Sequence, residues 1–288
     1  MKPQTLEALR REGAFVLAGT SDNPGTDAHV LLAHALGITT ESMLANLHTC
    51  YTPAQYARYG ELLKRRTQGV PTAYILGSRE FMSLPFIVNE NVLVPRADTE
   101  TLVELVLGMH KRMPFSRGLE IGTGSGCISV SLAHHGKINM LAADISITAL
   151  RVAKLNVSLN KMQERVTLVR SNMFASISAD DLGAFHFVVS NPPYIPTADI
   201  DTLGTDVREH EPRLALDGGE TGLDFYERLA AQSARWLLPR GMLFMEIGYD
   251  QREAVKQLLL AYGWTDIYCA QDLAGHDRVV FATRAKTI

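Results

Sequence analysis

Cysteine is scarce in this chain. Cys50, Cys127 and Cys269 are the only three in 288 residues, too far apart for a disulfide framework or a zinc pattern, so reduced thiols in a cytoplasmic protein are expected. Positive charge is not in excess either: 28 Lys plus Arg stand against 31 Asp plus Glu, a net charge of −3. That balance disfavours duplex DNA as a substrate and predicts no stable nucleic-acid partner. Long apolar runs are missing as well. None approaches the roughly 20 residues that cross a bilayer, and the opening MKPQTLEALRREG lacks the apolar core of a signal peptide, which predicts a soluble chain with no membrane partner. Of the histidines, His134 and His135 are adjacent, while His210 and His276 have no ligand pattern with carboxylates or cysteines, so no metal site is expected. There is no internal repeat and no low-complexity segment.

What the chain does have is a change of periodicity. Residues 4–68 carry helical spacing, as in DAHVLLAHALG and TPAQYARYGELLKRR, without a convincing strand. Asp27 and Thr52 are candidate N-caps, and Gly37 and Gly69 candidate stops. The one compact basic run, Lys64, Arg65 and Arg66, reads as a solvated helix end. From Arg79 the stretch REFMSLPFIVNENVLV reads as a β-hairpin, or an extended linker, around NEN. Beyond Pro95, strands and helices alternate, with helices expected near 98–113, from Ser125, and near 147–160, 222–238 and 250–262. Strands are expected through GLEI and LAAD and near 166–170, 185–190, 241–247, 264–270 and 278–283. Such alternation predicts a doubly wound α/β sheet. The expected domains are a helical bundle over 1–75, a hairpin linker over 76–95 and an α/β domain over 96–288.

Two strand endings carry the chemistry. LEIGTGSGCI sets Gly122, Thr123, Gly124, Ser125 and Gly126 between a strand and a helix, where the backbone must turn tightly and approach a ligand. A dinucleotide loop needs a glycine where Cys127 stands, so the alternate glycines favour S-adenosylmethionine over a nicotinamide cofactor; Cys127 itself reads as a packed thiol. Asp144, ending LAAD about 20 residues on, can accept two hydrogen bonds from a ribose diol. Glu120 adds a second acid against a cationic sulfonium. Asn172 and Met173, in VRSNMF, would lie near an adenine edge, with loop capping the competing role for Asn172. Asp144 could equally cap a helix, and the loop could be a plain turn.

The second ending is VVSNPPYIP. A residue before proline is held extended and proline has no N–H, so Asn191 and Pro192 form a stiff segment rich in acceptors. With its side-chain oxygen, Asn191 can grip a planar –NH2 group while Tyr194 stacks on that group's face. In an open α/β sheet all these strand ends border one crevice. An exocyclic adenine amine would satisfy the same residues, so adenine-N6 methylation of nucleic acid is the rival chemistry, although flipping a base out of a duplex usually needs a basic surface. A scaffold that has lost turnover is the non-enzymatic rival.

The sequence resembles the PrmC/HemK family, methyltransferases acting on the glutamine of the Gly-Gly-Gln motif in class I peptide-chain release factors. The resemblance spans nearly the whole chain. It rests on GVPTAYILGSREFMSLPFIVNENVLVPRADTETLV from Gly69, LEIGTGSGCI, NPPYIP, VREHEPRLAL from Val207 and HDRVVFATR. Glu120 stands where the family usually has aspartate, and some relatives carry aspartate at the place of Asn172. The resemblance implies a seven-stranded class I methyltransferase sheet behind a helical substrate-docking domain. It also implies S-adenosylmethionine, converted to S-adenosylhomocysteine, held by Gly122 to Gly126, Asp144, Met173 and Asn191. Asn191, Pro192, Pro193 and Tyr194 would hold the glutamine of a release factor, with the enzyme a monomer. PRADTE resembles the release-factor branch rather than the relatives that methylate a ribosomal-protein glutamine.

Overall fold

Leu6, Leu9, Leu17, Leu31, Leu32 and Met43 are wholly or almost wholly buried, and they form the centre around which the first helices close. The computed structural model describes residues 3–285. A two-residue pairing of β1 (Gln4–Thr5) with β2 (Cys50–Tyr51) ties the ends of a stretch that reads as purely helical in sequence. Between and beyond them lie α1 (Leu6–Leu17), α2 (Pro24–Leu36), α3 (Thr40–Ala45), α4 (Pro53–Thr67) and α5 (Thr72–Leu76). Thr52 caps α4, its N–H donating to Gln55 Oε1 at 2.8 Å, and Gly37 ends α2 at φ 66°.

Two expectations for this region need correction. Asp27 is not a cap: Pro24, whose fixed φ suits a first helical position, starts α2 three residues earlier behind Asn23. The Asp27 carboxylate instead accepts from Ser21 Oγ (2.7 Å), Arg66 Nε (2.7 Å) and Thr72 Oγ1 (2.8 Å). Burial alone would raise its pKa, but those bonds outweigh it and hold the group below the ordinary carboxylate range. Arg66 is therefore no solvated helix end. It is buried against Asp27, and only Lys64 and Arg65 of the basic run are exposed.

Backbone contacts divide the chain into two units, and the division falls between Ser78 and Arg79. It cuts β3 (Ser78–Phe81), which turns back into β4 (Leu84–Ile87) through Met82 and Ser83 at φ 51° and 59°. The hairpin thus turns on Met-Ser and not on NEN. The Met82 N–H donates to Glu100 Oε1 at 2.7 Å, anchoring a turn that lacks the usual Asn-Gly. Asn89 instead folds its own short turn after β4, accepting from the Asn91 N–H at 3.0 Å.

The second unit alternates as expected: α6 (Ala97–Arg112), β5 (Arg117–Ile121), α7 (Cys127–Gly136), β6 (Asn139–Asp144), α8 (Ile147–Leu159), β7 (Val166–Arg170) and β8 (Phe185–Ser190). Next comes α9 (Thr205–Arg208), inside the segment Gly204–His210 that clusters with the first unit, where His210 Nε2 donates to the Gln68 carbonyl at 3.1 Å. Then follow α10 (Asp224–Gln232), β9 (Leu237–Glu246), α11 (Arg252–Ala261), β10 (Trp264–Gln271) and β11 (Asp277–Arg284). The helix expected over 222–238 stops at Gln232 in a 3-10 turn, Ser233–Trp236, and β9 starts four residues before the expected 241.

The sheet has seven strands in the order β10-β11-β9-β8-β5-β6-β7, with β11 alone antiparallel to its neighbours. Apolar clusters cover both faces, one including α6 and α7 and the other α10 and α11. Strand order reverses between β5 and β8, so a crevice opens outside their carboxyl ends. Gly118 lets those two strands pack: a Cβ there would come within 2.3 Å of Phe187 Cζ. Among the described residues no helix is long and apolar enough to cross a membrane.

Candidate active site

The turn after β5 is built on alternate left-handed residues, Gly122, Gly124 and Gly126, at φ 77°, 54° and 81°. This delays α7 to Cys127, two residues after the expected start. The Gly122 and Thr123 amides both donate to the Ala143 carbonyl (2.8 and 3.0 Å), hooking the loop onto β6. No atom lies within 4 Å of a Cβ built on Gly122 or Gly124, whereas one on Gly126 would meet Ala153 Cβ at 3.3 Å. The first two glycines leave room for a ligand, and the third lets α7 approach α8.

Asp144 meets the loop from the next strand. Its Oδ2 accepts from the Gly124 N–H and its Oδ1 from the Ser146 N–H, both at 2.8 Å. The helix cap here is Ser146, which accepts from the Ala149 N–H. Burial raises the Asp144 pKa, opposed by these amides, and each oxygen keeps a lone pair for a ligand hydroxyl. Glu120 is wholly buried beneath the loop. Its Oε2 accepts from Thr123 Oγ1 (2.7 Å), the Ser129 N–H (3.2 Å) and Ser129 Oγ, while Oε1 has no partner. Burial pushes its carboxyl up to about 8 despite those bonds. An unpartnered buried carboxyl oxygen beside an open glycine turn suits a ligand that carries positive charge, as S-adenosylmethionine does. Cys127 is buried, its thiol pushed up to about 12 chiefly by burial, and it packs rather than reacts.

Across the crevice, Ser190 Oγ donates to the Ile121 carbonyl at 2.7 Å and joins the end of β8 to the start of the glycine turn. Asn191 follows. Its Nδ2 donates to Thr99 Oγ1 at 3.1 Å, so the –NH2 end is held by the protein and Oδ1 remains as the acceptor. The exit of the segment is pinned, with the Ile195 N–H on the Leu216 carbonyl (3.1 Å) and the Gly218 N–H on the Ile195 carbonyl (2.8 Å).

These elements border one cavity of about 310 Å³. Gly122, Thr123, Gly124, Ser125, Asp144, Asn172, Met173, Asn191, Pro192 and Pro193 all line it. Gly126 does not, since its part is to shape the turn. Tyr194 is also outside the lining. Its ring packs against the second apolar cluster and its carbonyl accepts from Gln251 Nε2 at 2.9 Å. Burial, with the nearby Glu246 carboxyl next, pushes its hydroxyl up to about 12. Asn172 is exposed and its Oδ1 is taken by Arg228 at 2.8 Å, while Met173 is buried at φ 53°.

Sequence reading passed over two residues behind Asn191. Thr99 lies in the quoted PRADTE with no role given to it there, and Glu246 ends β9 with no motif around it. Among the described residues no group of three or more metal-ligating side chains gathers.

Two family models match the chain, one described as PrmC N-terminal domain over residues 8–77 and one as Methyltransferase small domain over residues 97–221. A release factor glutamine methyltransferase of Moorella thermoacetica is 42% identical over 280 residues, covering 96% of either chain. That of Caulobacter vibrioides is 40% identical over 265 residues, 91% of this chain and 90% of its own. Among solved structures, a methyltransferase from Pyrococcus furiosus shares the fold with a TM-score of 0.52 at 17% identity, over 70% of this chain and 89% of its own.

Proposed function

The chain belongs to the release factor glutamine methyltransferase family, and from that premise we propose that it methylates the side-chain amide nitrogen of the glutamine in the Gly-Gly-Gln motif of class I peptide-chain release factors. S-adenosylmethionine, when bound, supplies an electrophilic methyl group on a positive sulfur. Gly122 and Gly124 leave the backbone open to it, Asp144 accepts from its hydroxyls, and Glu120 offsets its charge. The binding bundle before Ser78 is read as the part that docks the protein substrate.

An amide nitrogen is a poor nucleophile because its lone pair is delocalised into the carbonyl. Asn191 Oδ1 and the Pro192 carbonyl answer this by accepting the two N–H bonds, which favours charge building on nitrogen as the methyl arrives. Pro192 and Pro193 keep those acceptors stiff, so little reorganisation is needed at the moment of transfer. Tyr194 braces the segment from behind through its carbonyl. The surplus nitrogen proton passes to solvent after transfer.

One observation carries this reading: Asn191, with its –NH2 end bound to Thr99, borders the same cavity as the glycine turn. The test is mass spectrometry of a purified class I release factor after incubation with enzyme and S-adenosylmethionine. One methyl group should appear on the peptide containing Gly-Gly-Gln. An unmodified peptide would refute the proposal.

A further inference from the structure

One layer behind the cavity wall lies a carboxyl group that the chemistry above leaves unused. Glu246, the last residue of β9, is 2% exposed and does not line the cavity. Its carboxyl faces the side chains of Thr99 and Asn191, which bond each other at 3.1 Å, so α6, the end of β8 and the end of β9 meet in one polar triangle. Its Oε2 is buried without a partner. A buried carboxyl with unmet capacity costs stability, and an apolar side chain would fill this place at less expense.

The hydrogens in this triangle run in one sense. Thr99 Oγ1 accepts from Asn191 Nδ2, which leaves its own O–H to turn toward the Glu246 carboxylate that faces it. Turning the Asn191 amide over would set Oδ1 against a threonine oxygen whose only hydrogen is turned to Glu246. It would also present –NH2 to the cavity, two donors facing the two donors of a glutamine amide. Resting on the function proposed above, we infer that Glu246 is a positioning residue for methyl transfer: through Thr99 it keeps the Asn191 oxygen turned to the cavity, and so selects a neutral amide over a carboxylate as the methyl acceptor.

The surrounding charges suit that role. Arg278 and Asp98 face the group, as do the Tyr194 and Tyr226 hydroxyls and, farther off, Cys127. Arg278 is shared with Asp98 (3.4 Å) and Asp272 (3.1 Å), so Glu246 does not have it alone. Burial first, then Asp98, raises the carboxyl to about 7, against the polar side chains of Thr99 and Asn191 and the charge of Arg278. Protonation reverses the sense of the triangle, so turnover should fall as pH drops below about 7.

The test compares Glu246→Gln, Thr99→Val and Thr99→Ser, each alone and on Asn191→Ala, by single-turnover methylation of a purified release factor. S-adenosylhomocysteine affinity serves as the check of folding. Misplacing a reacting group by about 1 Å can cost about 100-fold, so Glu246→Gln and Thr99→Val should lose about 10- to 100-fold in rate with that affinity held. Thr99→Ser, which keeps the hydroxyl, should recover most of the rate. On Asn191→Ala neither Glu246→Gln nor Thr99→Val should lower the rate further, because residues acting through one another are not additive. The acid limb of the pH profile should vanish in Glu246→Gln. Parent-like rates in both single variants, or the same fold-loss on Asn191→Ala as on the parent, overturn the inference. If Glu246→Gln fails to fold, the Thr99→Val pair decides it. A parent enzyme that leaves the release factor unmodified overturns the function itself, and this inference with it.

Discussion

Replacing Glu120 by glutamine should remove a proton that the enzyme releases when its cofactor binds. The free carboxyl, raised to about 8, is about 90% protonated at pH 7 and about 10% at pH 9. A positively charged ligand in the cavity favours the carboxylate, so binding should expel about 0.9 proton at pH 7 and about 0.1 at pH 9. Only the ionised fraction is ready to bind, so the Glu120 titration by itself favours binding about tenfold between those pH values, opposed by loss of the cofactor's own ammonium charge over the same range. Calorimetric titration of S-adenosylmethionine in buffers of different ionisation enthalpy measures the proton count directly. The cofactor's own α-amino group, with an ordinary value near 8, is already mostly protonated at pH 7, so binding it as the ammonium takes up only about 0.1 proton. In Glu120→Gln the side-chain oxygen can still accept from Thr123 and Ser129, so the turn is kept while the titration is lost. Proton release at pH 7 should then fall to near zero. A wild-type enzyme that binds without releasing a proton at pH 7, or a glutamine variant that releases as many, refutes the argument.

Asp144→Ala should weaken S-adenosylmethionine binding by about 1.5 to 3 kcal/mol, the worth of hydrogen bonds to a charged acceptor; unchanged calorimetric affinity would remove Asp144 from the site. Asn191→Ala should lower kcat about 10²- to 10³-fold while cofactor affinity holds, and a single-turnover rate within about threefold of the parent would end the amide-gripping role. Gly118→Ala puts a methyl group within 2.3 Å of Phe187 Cζ and should destabilise the fold by about 1 to 3 kcal/mol, read as a lower urea midpoint. A parent-like midpoint would mean the two strands have slack there.

Much of the sheet was legible because its signals are local. LEIGTGSGCI, LAAD and VVSNPPYIP each end a strand with residues whose backbone restrictions are intrinsic, so the turn, the acid and the stiff exit could be placed without tertiary information. Cap positions were less legible. Asp27 looks like a cap by type, but the pyrrolidine ring of Pro24 sets the helix start three residues earlier and frees Asp27 to bind Arg66, 39 residues away. The hairpin turn was misplaced for a similar reason. Asn-Glu-Asn has the better turn chemistry, yet a Glu100 side chain anchors the backbone at Met82, and nothing near either stretch announces that bond.

The candidate site divides along the same line. The residues that carry the chemistry at the cavity, the glycine turn, Asp144 and Asn191, lie in motifs, because a ligand constrains the local backbone that must approach it. The pairing between them is not local: Thr99 is 92 positions from Asn191, and Glu246 is a single acid at the end of an apolar strand, so the parallel register of β8 with β9 and the packing of α6 beside them bring the three together. Tyr194 is the converse case. It stands in the motif without lining the cavity: its backbone carbonyl is held by the Gln251 amide, and its ring packs on the second apolar cluster. A motif read from sequence gives the backbone's restrictions, while the direction of each side chain is set by what packs around it once the backbone hydrogen bonds are made.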